Sequence, residues 1–400
     1  MIKFEKIIFK LLFLTALSAS GQSQKNADPI FVIQPQFSQA YPFSDGLAEV
    51  RIGYFENRKC GYINKTGEFQ IKPTYDACDK FSEELAAVRV GDHKTGKWGY
   101  INKQGNFVIT PQFVQGDLFR PPVSEFKSGL AAVHIGNNKS GKWGFIDKNG
   151  NFTVNLQFSF VTDFYDGLAL VKIGDDSGKW GYIDTKGKLA TGRLYEEANH
   201  FSEGLAGVNL GTKNDPNWVY INTMGEVAIK ISSIYSEKYR WGYVHPFKEG
   251  IGKVVFIQNS DSRKWARRMI NRKAEILFSD DLFVDDSEFN EGLAKTNIGQ
   301  YPNRIYGFYD RNGKVIIPPQ FDDVSNFKNG FAIFRIGDEN TGRLGFIDRT
   351  GKIVVNPVFK VEHGILNLTV FEFTEGLAAV KVSSEKGDLW GYIQAPNDNK

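Results

Sequence analysis

Arg263, Lys264, Arg267, Arg268, Arg272 and Lys273 crowd one short segment of the chain. Such a run can act as a patch for an anion or a phosphorylated glycan, or serve as an exposed basic strand. Asp280, Asp281, Asp285, Asp286 and Glu288 follow closely. Carboxylate oxygens suit Ca²⁺, but these lack the spacing of a known calcium loop and read better as a solvated insertion that partly neutralises the basic run. The five histidines, His93, His134, His200, His245 and His363, are not paired at metal-ligand spacing. His134 stands where other parts of the chain carry Arg, Lys or Glu, which predicts a surface position. No Gly-x-Ser-x-Gly elbow or phosphate-cradling glycine loop occurs. The sequence therefore assigns no catalytic residue, metal or cofactor.

The aromatic residues are more informative. Phe-x-x-Gly-Leu-Ala-x-Val recurs, and about 15 residues later comes Lys-Trp-Gly-Tyr-Ile-Asn-Lys-x-Gly. First halves begin at Phe43, Phe81, Phe126, Phe164, Phe201, Phe247, Phe289, Phe327 and Phe373, nine copies spaced 37 to 46 residues apart. The second half is clearest at Trp98-Gly99, Trp143-Gly144, Trp180-Gly181 and Trp390-Gly391. The Trp place is held by Cys60, Tyr306 and Leu344 in other copies. Apolar bulk is mostly kept while indole is not, which favours packing over chemistry; a cation–π cage would not survive such exchanges. Repeated aromatics between hairpins also resemble choline- and glucan-binding modules, where ligands lie between ring faces.

These motifs resemble the WG-repeat (KWG-repeat) family over roughly residues 30 to 394. The resemblance implies form and little defined activity. The fifth copy departs at Trp218-Val219, and the sixth at Lys264-Trp265-Ala266-Arg267-Arg268, where extra residues predict a bulge or a poorly formed strand. Trp241-Gly242-Tyr243-Val244 is an orphan copy that runs directly into the Phe247 repeat. Trp241, Tyr243, Arg263, Arg267 and Arg268 are the residues in which a partner patch is expected.

Short β-prone runs bounded by glycine predict an all-β fold of tandem meanders, each with three or four antiparallel strands. One unit cannot bury its apolar face alone, so the units must stack. A curved array or solenoid is the favoured architecture, with a closed propeller-like ring as the alternative, since residues 30–42 match a second half-repeat and the chain ends after a first half. Phe81, Phe126 and Phe164 are expected to pack between units, and the glycine after Trp to admit a neighbouring ring.

Residues 1–21 read as a secretory signal: Lys3, Lys6 and Lys10 precede the apolar run Leu11–Leu17, and small residues follow. Residues 22–42 form a half-repeat, 43–394 nine repeats in one elongated domain, and 395–400 a tail. Removing the leader lowers the net charge from +3 to +1, which argues against nucleic acid as a partner. Export permits a disulfide between Cys60 and Cys78, the two cysteines of the chain, but two strand spacings within one sheet exceed the reach of the bond unless Cys78 folds back. The expectation is a non-catalytic exported monomer, placed in the periplasm, at the cell surface or outside, that binds a protein or glycan. The alternatives are a hydrolase with a cleft site and a structural envelope component.

Overall fold

The computed structural model of the protein describes residues 28–54, 57–114, 120–137, 139–175, 177–231, 239–258, 261–278, 288–300, 302–362, 369–384 and 387–396. The leader, His363 and the acidic residues Asp280 to Asp286 lie outside these residues.

The described chain is nearly all β-strand, arranged as nine small antiparallel sheets in tandem, each of three or four strands. β1 (Phe31–Phe37) comes first. A sheet of β2 (Gln39–Ala40), β3 (Ala48–Ile52), β4 (Lys59–Ile63) and β5 (Phe69–Tyr75) follows. The next contains β6 (Ala77–Cys78), β7 (Leu85–Val90), β8 (Lys97–Asn102) and β9 (Phe107–Val114). Two three-stranded sheets come after it: β10 (Ala131–Ile135), β11 (Lys142–Ile146) and β12 (Phe152–Phe158), then β13 (Phe160–Tyr165), β14 (Leu168–Ile173) and β15 (Lys179–Ile183). β16 (Leu205–Asn209), β17 (Trp218–Asn222) and β18 (Val227–Lys230) precede β19 (Tyr239–Val244), β20 (Gly252–Gln258), β21 (Asp261–Ile270) and β22 (Ile276–Phe278). Then come β23 (Leu293–Ile298), β24 (Ile305–Asp310) and β25 (Val315–Phe321), followed by β26 (Asp323–Val324), β27 (Phe331–Ile336), β28 (Arg343–Asp348) and β29 (Ile353–Lys360). β30 (Leu377–Ser384) and β31 (Gly387–Gln394) complete the order, and β1 hydrogen-bonds β31. The half-repeats near the two ends of the sequence thus share one sheet, and among the described residues no sheet closes on itself.

Contacts divide the chain into two compact units, Met1–Pro35 with Phe283–Lys400, and Gln36–Leu282. No helix among the described residues is long and apolar enough to cross a membrane.

The local chemistry of each sheet follows from its repeat. β7 buries Leu85, Ala86, Ala87 and Val88 and leaves Val90 exposed. At the hairpin after β8, the Asn102 side-chain oxygen accepts the N–H groups of Gln104 and Asn106 at 3.1 and 3.0 Å, a side-chain mimic of a backbone turn. The Phe-x-x-Gly-Leu segment is a two-residue hairpin: Ser44 and Leu47 exchange both backbone hydrogen bonds, with φ of 52° at Asp45 and 83° at Gly46.

The glycine after Trp answers a different demand from the one expected. In β8–β9 pairing Trp98 faces Phe113 and Tyr100 faces Ile109, so Thr110, Pro111 and Gln112 bulge over the single residue Gly99. A Cβ on Gly99 would stand 2.5 Å from the Ile109 carbonyl oxygen. The same backbone approach occurs at Gly144 (Val154 oxygen, 2.6 Å) and Gly391 (Ile33 oxygen, 2.6 Å). The strand of its own sheet, and not a ring from a neighbouring repeat, lies over the glycine. Gly181 is different, because side chains of Leu194 and Leu189 are its nearest neighbours, at 2.8 and 2.9 Å.

Successive sheets are joined by the residue after that glycine. Tyr62 packs edge-on against Phe81 with centroids 4.7 Å apart, and Tyr100 against Phe126 at 4.9 Å. Each tyrosine donates its hydroxyl to a backbone carbonyl of the following sheet's segment, Tyr62 to Asp79 at 2.6 Å and Tyr100 to Ser124 at 2.7 Å. Phe145 meets Phe164 at 4.9 Å without the hydroxyl. Hairpin carboxylates extend the series: Asp45 accepts the Glu84 N–H at 2.9 Å, and Glu83 accepts the Gly129 N–H at 2.9 Å.

Cys60 and Cys78 form a disulfide with Cα atoms 6.1 Å apart. The in-sheet spacing argument fails because Cys78 lies on β6, the first strand of the following sheet. Sheets facing one another bring side chains together that strands two places apart in one sheet do not. Closing a loop of this length contributes about 3 kcal/mol.

The sixth copy also differs from expectation. β21 pairs β20 without interruption from Ile270 opposite Gly252 to Trp265 opposite Ile257, and the irregularity falls at the hairpin end, between Ile257 and Gln258. Arg267 and Arg268 occupy the register places of Trp and Gly. The orphan copy is β19, an edge strand of this sheet.

Candidate functional site

The indoles are covered within the stack. Trp98, Trp143 and Trp390 are 4–5 % exposed, and Trp180 is half-buried. Opposite each indole on the neighbouring strand stands Arg89, His134, Lys172 or Lys381. Arg89 lies 5.9 Å from the Trp98 ring and Lys172 5.8 Å from that of Trp180. These rings already have cations from their own sheets. His134, expected at the surface, is 4 % exposed and its ring lies 5.0 Å from Trp143. Its register sets it opposite that indole, and the equivalent Arg335, opposite Leu344, is likewise buried at 6 % exposure.

Of the expected partner patch, Tyr243 is 43 % exposed, and Arg267 and Arg268 are half-buried. The register places Tyr243 opposite Val255 and Val255 opposite Arg267, so one row across the sheet brings them two strand spacings apart. Arg268 donates to the Arg267 carbonyl at 2.8 Å. The side chains of Trp241 and Arg263 lie outside the described residues.

A cleft of about 480 Å³ opens elsewhere, lined by the segments before β7 and β10, by β10 and β11, and by β13. It is lined by Asp79, Lys80, Arg120, Ser124, Glu125, Trp143, Phe160, Thr162, Asp163 and Tyr165, among others. Apart from Arg120, its charged groups come from the places just before each repeat's Phe: Asp79-Lys80 before Phe81, Ser124-Glu125 before Phe126, and Thr162-Asp163 before Phe164. Lys80 pairs with Glu125 at 2.9 Å, Lys127 with Glu125 at 3.2 Å, and Lys127 with Asp163 at 3.0 Å, an alternating chain of charges. Burial opposes ionisation of Glu125, but its bonds to Lys80 and Lys127 hold the carboxyl below its usual range. Burial pushes Asp79 up, and the charges of Glu125 and Asp163 add to that. The Arg120 guanidinium stacks 3.9 Å from the Trp143 ring centroid and 4.8 Å from that of Phe160. Such a lining can hold polar and charged ligand groups against two partly exposed rings, Phe160 and Tyr165.

Sequence reasoning passed over these residues because attention fell on what repeats. The available signal was the reverse: the two positions before each Phe change from copy to copy while the Phe stays.

Another titratable group arises at the cleft's counterpart in an earlier sheet. Glu49 on β3 has the place that Ala132 has beside the cleft, and it is 5 % exposed. It pairs with Arg51 at 2.8 Å. Burial pushes its carboxyl up from 4.5 to about 7, against the pull of Arg51 and Arg58 and with a push from Asp79. The folded chain then keeps a proton that the unfolded chain has released. Stability from this group is present below about pH 4.5 and is lost as pH rises to about 7. Glu49→Gln is expected to remove a fall of at most about 3 kcal/mol over that window. Urea midpoints at pH 5 and pH 8 check this; an unchanged difference in the variant would assign the pH dependence to other groups.

A model of the WG containing repeat matches residues 31–54, 61–92, 98–138, 143–175, 180–213, 306–339 and 345–384. No curated protein matches the sequence. Among solved structures the chain is similar to a eukaryotic initiation factor, at 12% identity over 93% of this chain and 88% of the other, with a TM-score of 0.43. It is also similar to the β-propeller domain of the Trilobed protease from Pyrococcus furiosus, described as having an open velcro topology (11% identity, 71% and 99% of the two chains, TM-score 0.37). A third is the tricorn protease (14% identity, 87% and 38%, TM-score 0.28). At these TM-scores the structural likenesses carry no argument. The repeat model covers more than half of the residues with the motifs in register, and the chain belongs to the WG-containing repeat family.

Proposed function

We propose that this chain is a non-catalytic exported binding module for a protein or glycan partner, engaged at the cleft beside β13. The observation that supports this reading is a division of labour among the residues. The repeated Tyr and Phe join sheet to sheet and the repeated Gly admits a strand of its own sheet, while the charged groups of the cleft come from positions that differ between repeats. Recognition needs such a local departure from a regular framework. The Cys60–Cys78 disulfide supports export, because disulfides persist in oxidising compartments.

The test uses the full chain, expressed with its own leader and immobilised. Extracts of the source cell envelope and a glycan array are passed over it, and over a Glu125→Lys variant that reverses the centre of the charged chain. A protein or glycan retained by the native chain and bound at least about tenfold more weakly by the variant is the expected result. No retention in either format, or equal retention by both proteins, would overturn the proposal.

A further inference from the structure

Each charged side chain that lines the cleft is already engaged within the protein. Lys80 pairs with Glu125 at 2.9 Å, and Lys127 joins Glu125 to Asp163 at 3.2 and 3.0 Å. Asp79 accepts the Lys80 backbone N–H at 2.8 Å, and the Lys80 charge partly offsets the push of Glu125 and Asp163 on its carboxyl. The Arg120 guanidinium is occupied too, over the rings of Trp143 and Phe160. Asp79, Glu125 and Asp163 are thus set against Lys80, Lys127 and Arg120, and the charges balance. A ligand with a net charge would have to break one of these pairs, or meet a group of its own sign beside the one that attracts it. An apolar ligand would strip water from the pairs and put nothing in its place.

The pairs are saturated in charge but not in hydrogen bonds. An ammonium carries more donors, and a carboxylate more acceptor sites, than these contacts use. Lys80, Lys127 and Asp163 also stay partly exposed. Donors and acceptors therefore alternate from one side chain to the next. A hydroxyl both donates and accepts, so two vicinal hydroxyls can span one pair, one accepting from the ammonium and the other donating to the carboxylate. The groups of a peptide backbone each have a single use, N–H as donor and C=O as acceptor. Phe160 and Tyr165 add ring surface, 38 % and 36 % exposed, beside the charged groups. Arg120 and Lys127 lie over part of these rings, and the rest suits the C–H groups of a sugar ring.

We propose that the cleft binds a short uncharged glycan, with vicinal hydroxyls across the Lys80–Glu125 pair and C–H groups against Phe160 and Tyr165. The inference rests on the binding-module reading and names the ligand class of its site. The space of about 480 Å³ suits a short oligosaccharide and is too small for a folded partner. Ala132 lines the same cleft. Its register place, opposite Phe145, is held by Leu170 opposite Tyr182 in the following sheet. Ala132→Leu therefore fills the cleft with a side chain that this fold already carries at that place.

A glycan array that carries neutral, uronic-acid, sulfated and free-amine glycans, probed with the full chain, tests this. Neutral glycans are expected to be retained. Isothermal titration with the tightest of them should give an affinity that changes less than about twofold between about 0.05 M and about 0.5 M salt, because no net charge is exchanged. Its uronic-acid or free-amine counterpart should bind at least about tenfold more weakly. Ala132→Leu, shown folded by circular dichroism, should also bind at least about tenfold more weakly. The ligand and salt series need no variant, so they decide the matter even where the substitution disturbs folding. Retention of charged glycans alone, no retention of any glycan, equal binding of neutral and charged counterparts, or equal binding by folded Ala132→Leu overturns the inference. Capture of an envelope protein that Glu125→Lys releases, with no neutral glycan bound, would overturn this inference and leave the binding-module reading standing.

Discussion

Replacing Gly144 by alanine is expected to destabilise the chain by about 4 kcal/mol or more. The new Cβ would lie 2.6 Å from the Val154 carbonyl oxygen and 3.0 Å from the Asn155 carbonyl carbon and the Leu156 nitrogen. All three are backbone atoms, so no side-chain rotation relieves the contact. β12 must move away, and it carries Val154 and Phe158, both 3 % exposed, in one cluster with Val161 and Phe164. Gly129 in the preceding hairpin gives the control. Nothing lies within 4 Å of a Cβ there, but φ is +78°, so alanine costs only backbone strain, about 1–2 kcal/mol. Urea unfolding followed by tryptophan fluorescence and circular dichroism measures both. Equal losses would mean that the backbone crossing is not what the Trp-Gly glycine accommodates.

That contrast bears on what a sequence discloses. Both glycines recur visibly, yet recurrence gives the position of a constraint and not its physical origin. The strands, their meander order and the hairpins were legible because alternation, β-branched residues and turn glycines are local properties. The crossing over Gly99 was not, because it depends on Thr110-Pro111-Gln112 being extra relative to the partner strand. Tyr100 was read as part of a strand, and its bond to Ser124 requires knowing which sheet comes next. The disulfide was misjudged for the same reason: distances within one sheet were counted, while Cys60 and Cys78 meet between sheets. The cleft was hidden by variation. Asp79, Glu125 and Asp163 share no motif, and only the stacking of their sheets gathers them.

Phe126→Ala is expected to cost about 3–5 kcal/mol and to uncouple two sheets. Phe126 is fully buried in a cluster that takes Trp98, Tyr100 and Ile109 from one sheet and Val133 and Ile146 from the next. Tyr100→Phe should cost only about 1 kcal/mol, leaving the ring contact and removing the hydroxyl that bonds the Ser124 carbonyl. Phe145 already fills the equivalent place without a hydroxyl, so the ring contact is the larger contribution. Because each repeat depends mainly on its neighbours, loss of hydrogen-exchange protection in Phe126→Ala should concentrate in β7, β8, β10 and β11 and spare β27 and β28. Uniform loss along the chain would contradict nearest-neighbour coupling. Ser124 and Glu125 directly precede Phe126 and line the cleft, so the same variant should weaken ligand binding while Tyr100→Phe leaves most of it. Packing and recognition are then two consequences of one segment: its constant ring anchors the sheet, and its variable neighbours face the cleft.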